Sequence, residues 1–166
     1  MTHGRPAPVF DDVAQVRAWT DARTDARVVL ANGCFDPLHV GHVRYLEDAR
    51  RHGDLLVVAL NNDQSTRQLK GAGRPVMPEA ERAQLLAALR CVDAVLVFGD
   101  ATVERILDAL RPSLHAKGTD YTAETVPEAA VARRLGIRTV ITGDPKAHAS
   151  RDIVARVRAS DGPVSS

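Results

Sequence analysis

Cysteine is scarce: the 166 residues hold two, Cys34 and Cys91. That number gives no disulfide framework, and both are expected as reduced thiols in the cytoplasm. A charge excess of one sign is also missing. Lys and Arg number 22 against 21 Asp and Glu, a formal net charge of +1. There is therefore no global basic field of the kind that nucleic-acid binders use. No apolar run approaches the roughly 20 residues of a membrane-spanning helix. The opening Met1-Thr2-His3-Gly4-Arg5-Pro6 lacks the apolar stretch of a signal peptide. Two glycine signatures are absent as well. No Gly-x-Gly-x-x-Gly follows the first apolar strand, which argues against a dinucleotide oxidoreductase. No Gly-x-x-x-x-Gly-Lys-Ser/Thr appears, which argues against a P-loop enzyme. There is no internal repeat.

What is present suits one compact domain with a real core: 45% of residues are hydrophobic and 26% charged. Residues 1–9 are expected to be disordered, 10–159 to form the domain, and 160–166 a loose tail. A helix is predicted over 10–24, from Val13, Val16 and Trp19 at three-residue steps. Val28-Val29-Leu30-Ala31 reads as a buried strand. Val43, Leu46 and Ala49 mark the inner side of the helix that follows it. Leu55 to Leu60 is apolar at every position, as a strand buried on both faces would be. The polar, glycine-rich stretch from Asn61 to Met77 reads as a long functional connection. Pro78 opens a helix with Leu85, Leu86 and Leu89 inward. Further strands are predicted at 92–98, 114–116 and 137–142. A helix over 125–135 ends at Gly136, and a last helix turns Ile153, Val154 and Val157 inward. Strands alternating with helices imply an α/β fold, a Rossmann-like five-stranded parallel sheet with helices on both faces.

The chain is organised around Asn32-Gly33-Cys34-Phe35-Asp36-Pro37-Leu38-His39-Val40-Gly41-His42. A strand ends, a glycine-containing loop turns, and a helix begins. Backbone N–H groups and the positive end of a helix dipole there favour phosphate. His39 and His42 are three apart, so both imidazoles can face one side. Gly41 leaves room for close approach of a ligand.

This stretch resembles the signature of the nucleotidyltransferase superfamily marked by His-x-Gly-His. Its fuller form resembles the branch of adenylyltransferases acting on D-glycero-D-manno-heptose 1-phosphate. Two further segments match that branch in order. They are Leu69-Lys70-Gly71 with Arg74-Pro75-Val76, and Lys117-Gly118-Thr119-Asp120-Tyr121, in which Thr119 replaces a glycine. The resemblance covers residues 10–159. It implies that His39 and His42 stabilise the pentacoordinate α-phosphate and that Lys70 reaches a phosphate. It implies nucleotide contacts from Gly33, Cys34, Phe35, Gly41, Gly118 and Asp120. Arg82, in Glu81-Arg82-x-x-Leu85-Leu86, is either a nucleotide contact or an exposed helix arginine. Lys117 either adds charge or closes a turn. Asp36, Asn61, Asp63 and Arg74 are candidate acceptor contacts; Asp36 and Arg74 have the alternative role of bracing the loop.

The hydroxyl-rich run that opens the last helix in such enzymes is altered here to Ala147-His148-Ala149-Ser150-Arg151-Asp152. Ser150 keeps one hydroxyl, Arg151 offers charge in place of lost hydrogen bonds, and Lys146 and His148 stand nearby. Ser150 and Arg151 complete the nucleotide-binding candidates.

The resemblance implies transfer of AMP from ATP to the heptose 1-phosphate, giving ADP-heptose and pyrophosphate. Mg²⁺ would accompany ATP and bridge its phosphates, with no dedicated protein metal site. ATP and a sugar 1-phosphate are the expected partners, without nucleic acid or membrane, in a homo-oligomer. In related bifunctional proteins a sugar kinase precedes such a domain; here another chain is expected to make the substrate. Two alternatives stand. One is a cytidylyltransferase acting on glycerol 3-phosphate or a similar alcohol phosphate. The other is a non-catalytic nucleotide-binding module, favoured by the altered Ala149-Ser150-Arg151 run.

Overall fold

A computed structural model describes residues 5–145 and 149–160 of the chain. The elements in order are β1 (Val9–Phe10), α1 (Val13–Asp21), β2 (Val28–Gly33), α2 (Val40–Arg50), β3 (Leu55–Asn61), α3 (Asp63–Lys70), α4 (Glu79–Ala87), β4 (Ala94–Phe98), α5 (Glu104–Leu110), β5 (Leu114–Gly118), α6 (Ala129–Arg134), β6 (Arg138–Thr142) and α7 (Ser150–Ser160). They form one parallel sheet in the order β1-β4-β3-β2-β5-β6.

Alternation along the central strands explains their unbroken apolar character. Val29 and Ala31 of β2, with Leu56, Val58 and Leu60 of β3, meet Tyr45, Leu46 and Ala49 of α2 and Ala83, Leu86 and Ala87 of α4. Leu30, Val57 and Ala59 turn to the other face, against Val16, Ile106, Leu107, Leu110 and Ala132. Each strand is thus covered on both sides, which requires apolar residues at both parities. From β2 the chain winds outward through β3 to β4, then returns to lay β5 on the other side of β2. The crevice between β2 and β5 is therefore the topological switch point, where ligands bind in such sheets.

Several sequence expectations need correction. The sheet has six strands, because Val9–Phe10 pairs with Val95 and Leu96 of β4. The segment before it is also tied down: Ala7 donates to the Ala87 carbonyl, and Val95 donates to that of Pro8. The first helix is shorter than predicted, starting after Asp12, whose carboxylate accepts from the Ala14 N–H. The 61–77 stretch contains α3, begun by an Asn62 cap whose side chain accepts from Ser65 N–H. Leu85 of α4 points outward at 41% exposure; Ala83 and Ala87 take its expected place. The helix predicted from residue 125 begins at Ala129. Gly136 does follow that helix with φ +70. In α7 no residue is buried, and Val157 is 56% exposed. Among the described residues no helix is long and apolar enough to cross a membrane.

Candidate active site

A cleft of about 740 Å³ opens at the carboxyl ends of β2, β3 and β5. Its floor is the loop from β2 to α2. Asp36 holds this loop in shape. Its carboxylate is buried and accepts from Arg74 Nε at 2.8 Å, from Val76 N at 2.8 Å and from Met77 N at 2.9 Å. Arg74 also donates to the Asp36 carbonyl. Segment 74–77 is thereby strapped to the loop. Phe35 adopts the left-handed region (φ +47) that side chains rarely occupy. Its ring is buried against His42 and Tyr45, at centroid distances of 5.1 and 6.4 Å. Local strain is accepted here because packing over-determines the conformation.

His39 caps α2: its Nδ1 accepts from the Gly41 N–H at 3.1 Å. An Nδ1 that accepts carries no proton, so the ring proton sits on Nε2. His42 stacks on His39 at 3.8 Å between centroids. Its pKa is lowered from 6.5 to about 3, first by burial, then by His39 and Lys70. His42 is therefore a neutral imidazole at physiological pH. Its Nδ1 is buried with no partner among the described residues. Placing the proton on Nε2 avoids burying an unpaired N–H. Both rings thus hold an Nε2–H that can donate to an anion.

Lys70, the last residue of α3, lines the cleft with an exposed side chain. Asn61 lines it too, with Nδ2 donating to Ser65 Oγ and the Asp100 carbonyl. Cys34 approaches the Asn61 side chain at 3.8 Å, and both cysteines are free thiols. From β5 come Gly118, Asp120 and Tyr121. Thr119, the departure from the heptose pattern, donates from Oγ1 to the Asp144 carbonyl at 3.0 Å. On the far rim, Ser150 Oγ donates to the Pro37 carbonyl at 3.4 Å, so the start of α7 lies over the histidine loop. Arg151 lines the cleft beside it. Lys146 and His148 lie outside the described residues.

Fourteen of the sixteen sequence candidates meet around this cleft; Arg82 and Asp63 do not. Arg82 is not an exposed arginine. It is 1% exposed, and its guanidinium donates to the carbonyls of Met77, Cys34 and Asn61 and to Asp63 Oδ1. It clamps α4 to the ends of β2 and β3 from beneath. One carboxylate oxygen of Asp63 joins that clamp, and the side chain stays 37% exposed. Ser65 and Thr66 are fully buried, so they offer nothing to a polar acceptor pocket.

The partners of Lys117 escaped the sequence reading. Lys117 Nζ lies 3.3 Å from Glu128 Oε2, both nearly sealed from solvent. It also lies 3.4 Å from Asn32 Oδ1 and 4.9 Å from the Tyr121 ring centroid. His115 Nε2 is 3.0 Å from the same Asn32 oxygen. Burial and Lys117 lower the His115 pKa to about 4. The available signal was a His and a Lys inside the short apolar strand Leu114–Gly118. Buried titratable groups demand partners, but the partners lie far away in sequence. Among the described residues no three His, Cys, Asp or Glu side chains are grouped to hold a metal ion.

The cytidylyltransferase-like family model matches residues 30–166. The chain belongs to the cytidylyltransferase-like family of nucleotidyltransferases. It is 48% identical over 132 residues to the bifunctional protein HldE of Geotalea uraniireducens, covering 80% of this chain. It is 49% identical over 129 residues to the protein of that name from Streptomyces coelicolor, covering 78% of this chain. The chain spans only 27% and 28% of those relatives' lengths. Among solved structures it resembles a lipopolysaccharide core biosynthesis protein from Thermoplasma volcanium. That match has a TM-score of 0.62 and 25% identity, over 73% of this chain and 99% of the other. Pantoate-beta-alanine ligase from Francisella tularensis shares the fold alone, with a TM-score of 0.65 at 13% identity over 89% of this chain and 73% of that one.

Proposed function

We propose that the chain transfers AMP from ATP to D-glycero-β-D-manno-heptose 1-phosphate, giving ADP-heptose and pyrophosphate. The observation that carries the nucleotidyl-transfer reading is the stacked pair of histidines at the start of α2, facing a cleft that also holds Lys70. A phosphate oxygen of the sugar attacks the α-phosphorus of ATP. The bond to the β-phosphate breaks, and pyrophosphate leaves. The nucleophile is already an anion, so no strong base is needed. The obstacle is charge: one anion must approach another, and catalysis is positioning plus donors aimed at the oxygens that gain charge. The imidazole N–H groups and the α2 N-terminus supply donors on one side, and Lys70 supplies an exposed cation.

The heptose assignment rests on Leu69-Lys70-Gly71, Arg74-Pro75-Val76 and Lys117-Gly118-x-Asp120-Tyr121, together with identity to proteins named bifunctional protein HldE. Gly118 and Asp120 are proposed to contact the nucleoside, Ser150 and Arg151 the triphosphate, and Asn61 the acceptor. Mg²⁺ is proposed to enter bound to the triphosphate, offsetting its charge, since the buried carboxylates that line the cleft, Asp36 and Glu128, are taken up by contacts within the loop and with Lys117.

The family description favours a second reading, CTP with glycerol 3-phosphate or a similar alcohol phosphate. Pyrophosphate release measured with ATP, CTP, GTP and UTP against both acceptors, with product masses, separates them. ATP with the heptose phosphate is the expected pair. A clear preference for CTP with glycerol 3-phosphate overturns the heptose assignment but keeps nucleotidyl transfer. Nucleotide binding without pyrophosphate release from any pair points to a binding module.

A further inference from the structure

We infer that Asn32 is a further catalytic residue of the nucleotidyl transfer proposed above, its side-chain amide donating to a phosphate oxygen, with Lys117 and His115 fixing which way that amide points. Asn32 lies next to the end of β2 and lines the cleft. An asparagine amide has one accepting and one donating end, and its direction must be deduced from its neighbours. Here the neighbours decide it. An ammonium only donates, so the Asn32 atom 3.4 Å from Lys117 Nζ is the carbonyl oxygen. With the opposite orientation an NH₂ group would face an NH₃⁺ group. His115 Nε2 lies 3.0 Å from the same oxygen and must therefore carry the imidazole proton. Two donors fill the two lone pairs of Oδ1.

What remains of Asn32 is its NH₂ group, and no protein acceptor meets it among the described residues. Lys117 cannot take over this task. Its charge is matched by Glu128 at 3.3 Å in a nearly sealed pair, and its exposed side is covered by Tyr121. The chain of contacts from Glu128 through Lys117 to Asn32 thus converts a buried ion pair into a fixed neutral donor. That donor stands at the β2–β5 switch point, on the strand that leads into the histidine loop. A pair of N–H groups held still there is suited to an oxygen that gains negative charge.

Asn32→Asp makes the decisive test. The aspartate keeps an oxygen for Lys117 and His115, so the scaffold is satisfied as before. The cleft-facing NH₂, however, becomes an anionic oxygen that repels phosphate. We expect the thermal midpoint of Asn32→Asp to equal or exceed that of the parent chain. We expect ATP affinity by calorimetry to fall at least about tenfold, and kcat/KM for pyrophosphate release at least about a hundredfold. If ATP affinity and kcat/KM both stay within about threefold of the parent (a tenfold change being 1.4 kcal/mol), Asn32 is only a scaffold acceptor and the inference fails. Should the aspartate variant not fold, Asn32→Ala adds no charge and carries the same test: loss is expected, and unchanged binding and turnover overturn the inference.

For the positioning residue, Lys117→Met should lower turnover in the parent but add little in the Asn32→Ala background; additive losses overturn its role. A parent chain that binds no nucleotide overturns nucleotidyl transfer and this inference together. A parent that binds ATP alongside an Asn32→Asp variant that binds it equally well overturns the role of Asn32 alone.

Discussion

The two rims of the cleft are built differently. On one side, the β2–α2 loop is held by Arg74, Val76, Met77 and Arg82 through at least five hydrogen bonds to segments distant in sequence. On the other, α7 buries no residue, and Ser150 reaches the loop through one long 3.4 Å contact. The contrast separates two tasks. Donors that act on the transferred phosphate must be in place before the reaction, because reorganisation during it raises the barrier. Contacts to the departing end of the triphosphate can be gathered when the nucleotide binds, at some cost in affinity. The first rim is suited to rate and the second to capture and release.

Breaking the held rim should have the largest effect. Arg82→Ala leaves Asp63 without its partner and removes the guanidinium donors to the carbonyls of Met77, Cys34 and Asn61. A loss of about 3–5 kcal/mol in folding stability is expected, read from urea unfolding; a loss under about 1 kcal/mol would mean the clamp is dispensable.

Next comes His42→Ala, expected to slow turnover about a hundredfold to a thousandfold, roughly 3–4 kcal/mol, while ATP affinity changes far less. Equal losses in both, or normal rates, would remove His42 from the transition state. His39 needs a different substitution because it also caps α2. His39→Asn keeps a capping acceptor, so turnover should fall as for His42 with the thermal midpoint held.

Acid should loosen the same rim. His42 and His115 have folded-state pKa values of about 3 and about 4, below the ordinary 6.5. Between those values and 6.5 the unfolded chain binds more protons than the folded one. Their contribution is complete above about pH 6.5 and is lost as pH falls through that window. His115→Gln, which keeps an N–H for Asn32, should flatten the fall in urea midpoint between pH 7 and pH 4. A parallel decline in the parent and the variant would show that His115 takes no part.

Two smaller effects probe contacts gathered on binding. Lys70→Ala should raise the KM for a phosphate-bearing substrate about tenfold, or roughly 1.4 kcal/mol, and lower the rate, with the fold intact; wild-type kinetics would make Lys70 idle. Ser150→Ala should cost least, about threefold in the KM for ATP, because it removes one weak contact worth under about 1 kcal/mol. A hundredfold effect there would mean that the α7 rim is held as firmly before binding as the loop is.

The same contrast explains what could be read from the sequence. The central strands were legible because burial on two faces leaves an apolar residue at every position, as in Leu55 to Leu60. The histidine loop was legible because its chemistry is local. Val9–Phe10 was not: two residues carry no period, and β4 alone makes them a strand. Helix α3 was hidden by its polarity, although the Asn62 cap before Asp63 was a usable signal. Arg82 and Lys70 look equally free in the sequence. Only three-dimensional packing makes one a sealed clamp and the other a cleft cation. Glu128 shows the same limit, since its need for Lys117 crosses a loop whose path the sequence does not specify.

The strapping of Asp36 by residues 74–77, with Arg82 beneath, has a consequence for synthesis. The histidines lie at positions 39 and 42, yet the loop that carries them lacks its braces until residue 82 has been made. While the ribosome is still translating β3, the nascent histidine motif is present as sequence but absent as a phosphate cradle. The loop that carries the motif therefore gains its braces only once residues 74–82 are available, well after the motif itself has been made.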